Sequence, residues 1–258
     1  MINCQPFERS SVVYDTVHAA KDYDSECRSI LQHLEPAKNL TPFAPRLLDI
    51  GCGTGEFTKR FLQSGWQAIG IDCSEAMIRR AHEKGIKACV GRVENLPLHD
   101  KVEAVTCLYG AFSYMTVGVV GQEGVVLQQV LQSLRGTLRH RGLLVFDVIH
   151  APAAASKLRD SQERQFGDVT RKMSKRFDAA RSIVYHDITY TYQGETWGEQ
   201  HAMRAFSLPE MRYALKHCGF ELKWMLPTFD NDPYCPSNYI SNSTYYFTVV
   251  AEARHGDI

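Results

Sequence analysis

The sequence predicts an α/β fold, in which helices cover both faces of an open parallel sheet and an antiparallel β-rich insertion follows. Three observations predict it. Short apolar runs alternate with helical patterns up to Ile149, the pattern then becomes β-rich, and a helix start signal appears at Ser207. Strands that are apolar on both faces and separated by helices are typical of parallel sheets. We therefore expect one domain with three parts, residues 1–150, 151–206 and 207–258.

The elements of the first part follow in regular order. Strands are predicted at Arg46–Ile50, Gln67–Ile71, Lys87–Val90, Ala104–Leu108 and Gly142–Ile149. Helical patterns lie between them at Glu56–Ser64, Glu75–Lys84 and Glu123–Leu138. The strand at Gly142–Ile149 has apolar residues on both faces, as expected for a sheet covered on both sides.

The second and third parts have different signals. Short turns join the β-rich runs into a predicted antiparallel meander of Val169–Phe177, Ile183–Tyr192 and Trp197–Phe206. Ser207, Pro209 and Glu210 are typical of a helix start, and this helix should end at Cys218–Gly219. Two further strands, Glu221–Met225 and Tyr245–Ala253, are expected to return to the main sheet on either side of an aromatic loop.

Composition excludes several classes of function. The 29 lysine and arginine residues balance 29 aspartate and glutamate residues, so the chain offers no basic surface for nucleic acid or anionic lipid. No run approaches the roughly 18 apolar residues of a membrane span, and Met1–Ser10 lacks an apolar signal core. The 8 cysteines include no C-x-x-C pair, so we expect free thiols in a reducing cytoplasm and no metal site.

A glycine-rich loop follows the first strand. The strand runs directly into Gly51, Gly53 and Gly55 and then into a helix. Glycine allows a tight turn and a close approach of the backbone to a ligand. The third glycine of the dinucleotide pattern G-x-G-x-x-G would fall on Glu56, whose carboxylate would face a pyrophosphate. This disfavours a nicotinamide-dependent dehydrogenase.

An acidic residue completes the pattern. Asp72 ends the second strand, and its spacing from Gly51 allows a carboxylate to accept hydrogen bonds from both ribose hydroxyls. Together with Asp49 before the loop, this arrangement suits a nucleoside ligand that lacks phosphates and carries an amino acid.

Two motifs carry a family resemblance. Leu47–Gly55 (L-L-D-I-G-C-G-T-G) and Gly70–Met77 (G-I-D-C-S-E-A-M) resemble, in order and separation, the class I S-adenosylmethionine-dependent methyltransferases. The resemblance implies a Rossmann-like sheet and S-adenosylmethionine as the cofactor, with the glycine loop at its methionine part, Asp72 at its ribose and Met77 near its adenine. The cofactor-binding residues that it implies are Tyr14, Asp49, Gly51, Gly53, Gly55, Asp72, Cys73, Met77, Val93, Glu94 and Leu108.

The resemblance extends over nearly the whole chain. Tyr14–Asp15 and Lys21–Glu26 are similar to the N-terminal segment of small-molecule N-methyltransferases, including amino-sugar N,N-dimethyltransferases and enzymes like glycine N-methyltransferase. In those relatives the tyrosine lies over the cofactor. Val105–Met115 is similar to their fourth motif, and the β-rich insertion resembles the sheet that covers their substrate.

Two positions depart from the family pattern. Gly91–Arg92 stands where many relatives have Gly-Asp, so the acceptor for the adenine amino group is absent or moved to Glu94 or Asn95. Arg139–Gly142 replaces a Lys/Arg-Pro-Gly-Gly turn, which is expected to affect only that turn.

Methyl transfer from a sulfonium requires a nucleophile with a free lone pair, which is a neutral amine or an oxygen assisted by a base. His150 follows the fifth strand at the edge where α/β sheets bind ligands, and His186 lies on a meander strand. The candidate catalytic residues are His150, Tyr14, Tyr114 and His186.

Other polar and aromatic residues leave alternatives open. Asp147 is either a substrate contact or a buried hydrogen-bonded acid, and His201 points either to the same cavity or to solvent. A group of aromatic residues forms either a lid or edge packing: Tyr234, Tyr239, Tyr245, Tyr246 and Trp197.

The leading hypothesis is methyl transfer from S-adenosylmethionine to an amine nitrogen of a small-molecule acceptor, such as an amino sugar or an amino acid. The alternatives are an O-methyltransferase with His150 or His186 as the base, and a non-catalytic protein that binds S-adenosylmethionine. The neutral charge and Leu108–Phe112, in place of an Asn-Pro-Pro-Tyr motif, disfavour a nucleic-acid methyltransferase. We expect a cytoplasmic protein with a small-molecule partner, no nucleic acid and no membrane, and a homodimer is left open.

Overall fold

The computed structural model describes residues 6–96, 100–119, 121–156, 161–227, 240 and 244–254. Its strands are β1 (Arg46–Ile50), β2 (Gln67–Asp72), β3 (Ala88–Val90), β4 (Val102–Cys107), β5 (Leu138–His150), β6 (Gln162–Phe166), β7 (Val169–Asp178), β8 (Ile183–Tyr192), β9 (Glu195–Phe206), β10 (Phe220–Pro227) and β11 (Tyr246–Ala253). Its α-helices are α1 (Tyr14–Val17), α2 (Tyr23–Lys38), α3 (Glu56–Gln63), α4 (Glu75–Glu83), α5 (Ala111–Met115), α6 (Glu123–Thr137), α7 (Ala151–Ser156) and α8 (Leu208–His217).

The strands form a mixed sheet. β1 to β5 pair in parallel in the order β3-β2-β1-β4-β5, and β11 followed by β10 continues the sheet in antiparallel pairing. β6 to β9 form an antiparallel meander. This arrangement confirms the predicted fold, a Rossmann-like parallel core with an antiparallel β-rich insertion after β5.

The meander joins the main sheet at one place. Ile149 and His150, at the end of β5, pair in parallel with Ala205 and Phe206 of β9. Because ligands of open α/β sheets bind at the carboxyl ends of the parallel strands, this junction places the meander beside the edge where a ligand is expected.

Alternate residues of the strands supply two apolar cores. Leu47 of β1 belongs to a buried cluster with Leu34 of α2 and Phe61 of α3. Its neighbour Leu48 belongs to the cluster on the other face, with residues of α6 and α8 such as Leu134. Burial on both faces explains why apolar residues occupy both faces of these strands.

Serine side chains cap the N-termini of α8 and α4. Ser207 Oγ accepts a hydrogen bond from the N–H of Glu210 (3.3 Å), which confirms the predicted start of α8. Ser74 Oγ accepts one from the N–H of Met77 (3.2 Å) at the start of α4. A cap of this kind is worth about 1 kcal/mol, and that of α4 fixes the chain directly after Asp72.

The structure corrects the sequence analysis in two places. Arg139–Gly142 is an irregular stretch inside β5, which begins at Leu138: the register with β4 shifts there and Arg141 has a φ of +66°. Arg139 Nε lies 2.6 Å from the buried Glu103 Oε1. The edge strand β6 was not predicted, since polar residues occupy both of its faces. Among the described residues, no helix is both long and apolar enough to cross a membrane.

Candidate functional site

The glycine loop between β1 and α3 uses its three glycines differently. All three have a positive φ, at +72° for Gly51, +55° for Gly53 and +84° for Gly55. A Cβ on Gly51 would lie 2.4 Å from Ala111 Cβ, whereas one on Gly53 would meet nothing within 4 Å. A Cβ on Gly55 would lie 3.0 Å from the nearest methyl carbon of Ile86. Gly51 therefore allows α5 to approach, and Gly53 leaves open space for a ligand.

Asp72, at the end of β2, ties the loop to the next helix. Its Oδ2 accepts a hydrogen bond from the Gly53 N–H (2.9 Å) and its Oδ1 accepts one from the Ser74 N–H (2.9 Å). Burial raises the pKa of Asp72, against these backbone donors. An ionised carboxylate offers about four lone-pair sites, so the backbone donors of Gly53, Ser74 and Cys73 still leave capacity for a hydroxyl group of a ligand.

Asp49 is a second buried carboxyl group beneath the loop. Its Oδ2 and Oδ1 accept hydrogen bonds from the hydroxyls of Thr58 (2.6 Å) and Thr106 (2.9 Å). Burial raises the pKa of Asp49 to about 6, even though these hydroxyls favour the carboxylate. Both oxygens are thus already engaged in cross-links between β1, α3 and β4.

We expect Asp49→Asn to remove a pH-dependent loss of stability. Because folding raises the pKa of Asp49 from 3.8 to about 6, the folded chain holds an extra proton between these values, and its free energy of unfolding falls as the pH rises through them. The free energy of unfolding of the wild type, relative to that of Asp49→Asn, should fall by about 2 to 3 kcal/mol from about pH 4 to about pH 6. Urea unfolding of both proteins at the two pH values measures this difference, and an unchanged difference would contradict the expectation.

A cleft of about 1040 Å³, part of it open to solvent, lies along the glycine loop; we call it the loop cleft. Of the residues expected at the cofactor, those that line this cleft are Tyr14, Asp49, Gly51, Gly53, Asp72, Cys73, Met77, Val93 and Leu108. Gly55 and Glu94 do not line it. Gly55 faces Ile86 instead, and the half-exposed Glu94 lies 3.7 Å from Arg92, which itself lines the cleft.

A second cleft of about 1200 Å³ lies against the inner face of the meander; we call it the meander cleft. Four aromatic side chains line both clefts, and we call them the aromatic neck: Phe7, Tyr14, Tyr109 and Tyr114. The Phe7 ring meets Tyr114 edge to face at 5.3 Å between ring centres, and Tyr14 at 6.2 Å. A group passing from one cleft to the other would pass these rings.

The two histidine candidates lie in different surroundings. His186 of β8 is buried and lines the meander cleft. His150 is buried too, but it is not among the described residues that line either cleft. Its Nδ1 lies 3.2 Å from the carbonyl oxygen of Thr244, and its ring packs edge-on against Phe247. The structure therefore does not place His150 at either cleft, because the last residue of β5 turns towards the segment before β11.

A hydrogen-bonded chain of side chains reaches the aromatic neck from the meander. Tyr114 Oη lies 2.7 Å from His201 Nδ1, and His201 Nε2 lies 3.3 Å from Glu199 Oε2. Burial works to raise the pKa of Glu199, but hydrogen bonds from His201 and Ser10 outweigh it and lower the pKa below its usual range. The ionised Glu199 favours the His201 tautomer with a proton on Nε2, so Nδ1 accepts the hydrogen bond of the Tyr114 hydroxyl.

Sequence reasoning left the direction of His201 open and missed Glu199. Both residues lie on β9, two residues apart and therefore on one face of the strand. His201 is the cross-strand partner of His186 on β8. The alternation of residues along β9 could have indicated from the sequence that Glu199 and His201 share a face. The contact between His201 and Tyr114 could not be predicted from the sequence, since it depends on how the meander packs over α5.

Asp147 is a buried hydrogen-bonded acid that also lines the meander cleft. Its carboxylate oxygens accept hydrogen bonds from the N–H groups of Tyr109 (2.7 Å) and Gly110 (2.5 Å). Tyr109 has a φ of +59°, a conformation that an L-residue rarely adopts. Asp147 therefore stabilises the turn that directs Tyr109 into the aromatic neck.

The aromatic residues considered for a lid divide into three groups. Tyr234 and Tyr239 lie outside the described residues. Tyr245 and Tyr246 contact each other edge to face, and Tyr246 lines the meander cleft. Trp197 stacks on Tyr190 and packs beneath the N-terminal segment, away from both clefts. Within the described part of the chain, no group of three or more His, Cys, Asp or Glu residues is arranged to hold a metal ion.

Residues 47–142 match the family model described as a methyltransferase domain. A putative methyltransferase of Bacillus subtilis, YqeM, is 28% identical over 239 residues, which cover 87% of this chain and 91% of the relative. The dTDP-4-amino-2,3,4,6-tetradeoxy-D-glucose N,N-dimethyltransferase of Saccharopolyspora spinosa is 31% identical over 109 residues, 40% of this chain and 42% of the relative.

Solved structures share the fold at low sequence identity. A S-adenosylmethionine-dependent methyltransferase from Clostridium acetobutylicum superposes with a TM-score of 0.79 at 18% identity, covering 98% of this chain and 100% of that one. DesVI from Streptomyces venezuelae gives a TM-score of 0.70 at 19% identity, with 95% and 98% of the two chains covered. The likeness includes the meander, since almost the whole chain is covered.

Proposed function

Because this chain is a class I S-adenosylmethionine-dependent methyltransferase, we propose that it methylates an amine nitrogen of a small-molecule acceptor. When bound, S-adenosylmethionine supplies a methyl carbon on a positively charged sulfur, and this carbon passes to an acceptor lone pair while the C–S electron pair stays on sulfur. The single observation that carries the nitrogen assignment is the aromatic neck between the two clefts.

The loop cleft fits the cofactor. Gly53 leaves space beside the backbone, and Asp72 retains acceptor capacity for a ribose hydroxyl. Two cations beside the loop are already paired, because Glu56 lies 2.7 Å from Arg60 and 2.8 Å from Lys84. Arg92, which lines the cleft, lies 3.7 Å from Glu94. This charge balance suits a nucleoside without phosphates. We assign the apolar wall at Met77 and Val93 to adenine.

We expect Asp72→Ala to weaken binding of S-adenosylhomocysteine by about 10- to 100-fold, since a hydrogen bond to a charged group is worth about 1.5 to 3 kcal/mol. Asp100→Ala is the matched control, because Asp100 is an exposed acid that pairs with Arg46 (3.0 Å) and does not line the loop cleft; the affinity of this variant should stay within about twofold of wild type. Calorimetric titration measures both, after urea unfolding has shown that each variant is folded. Equal weakening in the two variants would contradict the assignment.

The aromatic neck suits a reaction in which positive charge passes from the sulfur to the acceptor atom. Aromatic faces attract cations, and the ammonium of Lys21 lies 3.2 Å from the ring centre of Tyr109. A nitrogen acceptor becomes cationic as its new bond forms, whereas a hydroxyl acceptor loses its proton and stays neutral. Rings that stabilise positive charge therefore favour nitrogen.

An amine must also give up a proton to have a free lone pair. We assign this proton to the chain of Tyr114, His201 and Glu199. Burial raises the pKa of Tyr114, so its hydroxyl remains protonated and passes a proton on to His201 Nδ1 while receiving one from the acceptor. Glu199 then stabilises the resulting imidazolium.

The same proton acceptor would serve a hydroxyl acceptor, so O-methylation is the second candidate. The test is a panel of primary amines, each paired with the alcohol of the same carbon skeleton. With S-adenosylmethionine, the amines should gain one CH₂ unit per methyl by mass spectrometry and the alcohols none. Methylation of the alcohols alone would reject the nitrogen assignment, and cofactor binding without turnover of either class would favour a non-catalytic role.

A further inference from the structure

The inner face of the meander brings positive charge to the meander cleft. Arg171 and Lys175 lie on the same face of β7 and both line this cleft. Across the ladder, Arg171 pairs with Tyr190 and Lys175 with His186, which also line it. One wall of the cleft is therefore built from two cations and their cross-strand neighbours.

The Arg171 charge is not neutralised by a carboxylate among the described residues. Its guanidinium lies over the Phe166 ring at 4.9 Å, and no ion pair of the described part of the chain includes it. The acids of the cleft are engaged elsewhere, since Glu26 pairs with Lys21 (3.0 Å) and Asp147 accepts two backbone N–H groups. Half-buried and facing the cleft, Arg171 lacks the anion that such a group normally has.

His186 gives an independent indication of a ligand. The residue is only 8% exposed, and its Nε2 has no hydrogen-bond partner among the described residues. Burial, with the nearby charges of Lys175 and Arg171, lowers the pKa of His186 to about 3, so it is neutral and offers one N–H. A buried polar nitrogen without a partner, on the wall of a cleft, is a position where a ligand would complete the hydrogen bonds.

We propose that Arg171, Lys175 and His186 form an oxyanion subsite that binds a carboxylate or phosphate group of the acceptor. The inference rests on the proposed function, because it gives the acceptor two ends: an anionic group on β7 and a methyl-accepting atom at the aromatic neck. The acceptor is then an amine that also carries an acid, and the subsite selects against neutral amines.

Direct binding tests the subsite without any turnover. The full chain, saturated with S-adenosylhomocysteine, is titrated calorimetrically with inorganic phosphate and, separately, with acetate. We expect saturable binding that Arg171→Gln weakens by about tenfold or more, as loss of a charge-assisted bond requires. Lys172→Gln is the matched control, since Lys172 lies on the same strand with its side chain exposed. Equal affinity in the two variants, or no saturable binding to the wild type, would overturn the proposal.

Turnover then separates the subsite from the nitrogen assignment. Amino acids are compared with their amides, and glucosamine 6-phosphate with glucosamine, which distinguishes a carboxylate from a phosphate. In each pair, the compound that carries the carboxylate or phosphate should have a kcat/KM about tenfold higher than its partner. The substitution Arg171→Gln should remove this difference. Lys175→Gln replaces it if the first variant does not fold. Equal methylation of neutral amines would overturn the subsite alone. Methylation of glycerol 3-phosphate but of no amine would overturn the nitrogen assignment alone.

Discussion

Replacing His201 by glutamine is expected to lower kcat by about 10²- to 10³-fold, within the range that a positioned general base contributes. Glutamine keeps a polar side chain but cannot take up a proton at pH 7. The proton that Tyr114 passes to His201 Nδ1, across 2.7 Å, would have no acceptor. Affinity for S-adenosylhomocysteine should stay within about twofold, because His201 lines the meander cleft and not the loop cleft.

Single-turnover kinetics measure the loss of kcat, and calorimetric titration measures the affinity for S-adenosylhomocysteine. His150→Gln is the matched comparison, since His150 is equally buried but contacts the Thr244 carbonyl. A large loss of kcat in His150→Gln, with His201→Gln nearly active, would return the role of base to the residue that the sequence first suggested.

Gly51→Ala is expected to lower the free energy of unfolding by about 2 to 5 kcal/mol. A left-handed conformation costs an L-residue about 1 to 2 kcal/mol, and overpacking adds about 1 to 3 kcal/mol. Both apply at Gly51, where φ is +72° and the new Cβ would lie 2.4 Å from Ala111 Cβ. Relief of this contact would displace α5, which carries Tyr114.

Gly53→Ala, in the same loop, separates strain from crowding. Its φ of +55° brings the conformational cost, but its Cβ would meet nothing within 4 Å. We therefore expect a loss of only about 1 to 2 kcal/mol, with weaker cofactor binding because the methyl projects into the loop cleft. Urea unfolding and calorimetric titration of both variants measure the two effects. Equal losses of stability would show that contact with Ala111 is not what requires glycine at position 51.

The sequence predicted the parts of the molecule that depend on local pattern. The glycine loop and Asp72 lie on adjacent strands of a parallel sheet, so their positions at one edge follow from the strand pattern alone. The meander and the cap of α8 follow likewise from turn and capping residues.

The parts that depend on packing between distant segments were not predictable in this way. His150 faces Thr244 because β11 pairs with β5, and Glu199 acquires its partners only when the N-terminal segment packs on β9. Gly55 has the same spacing as its neighbours, yet it faces Ile86 across the turn after α4. Register and docking decide these contacts, and neither is encoded in a single stretch of sequence.

Glu199 also holds the N-terminal segment in place. It accepts hydrogen bonds from the backbone N–H groups of Phe7 (3.3 Å) and Ser10 (2.9 Å) and from the Ser10 hydroxyl (2.7 Å). Phe7 lines both clefts, so a segment that lifts to exchange ligands would also strip Glu199 of these donors. The carboxylate that orients His201 therefore depends on the N-terminal segment for three of its hydrogen bonds.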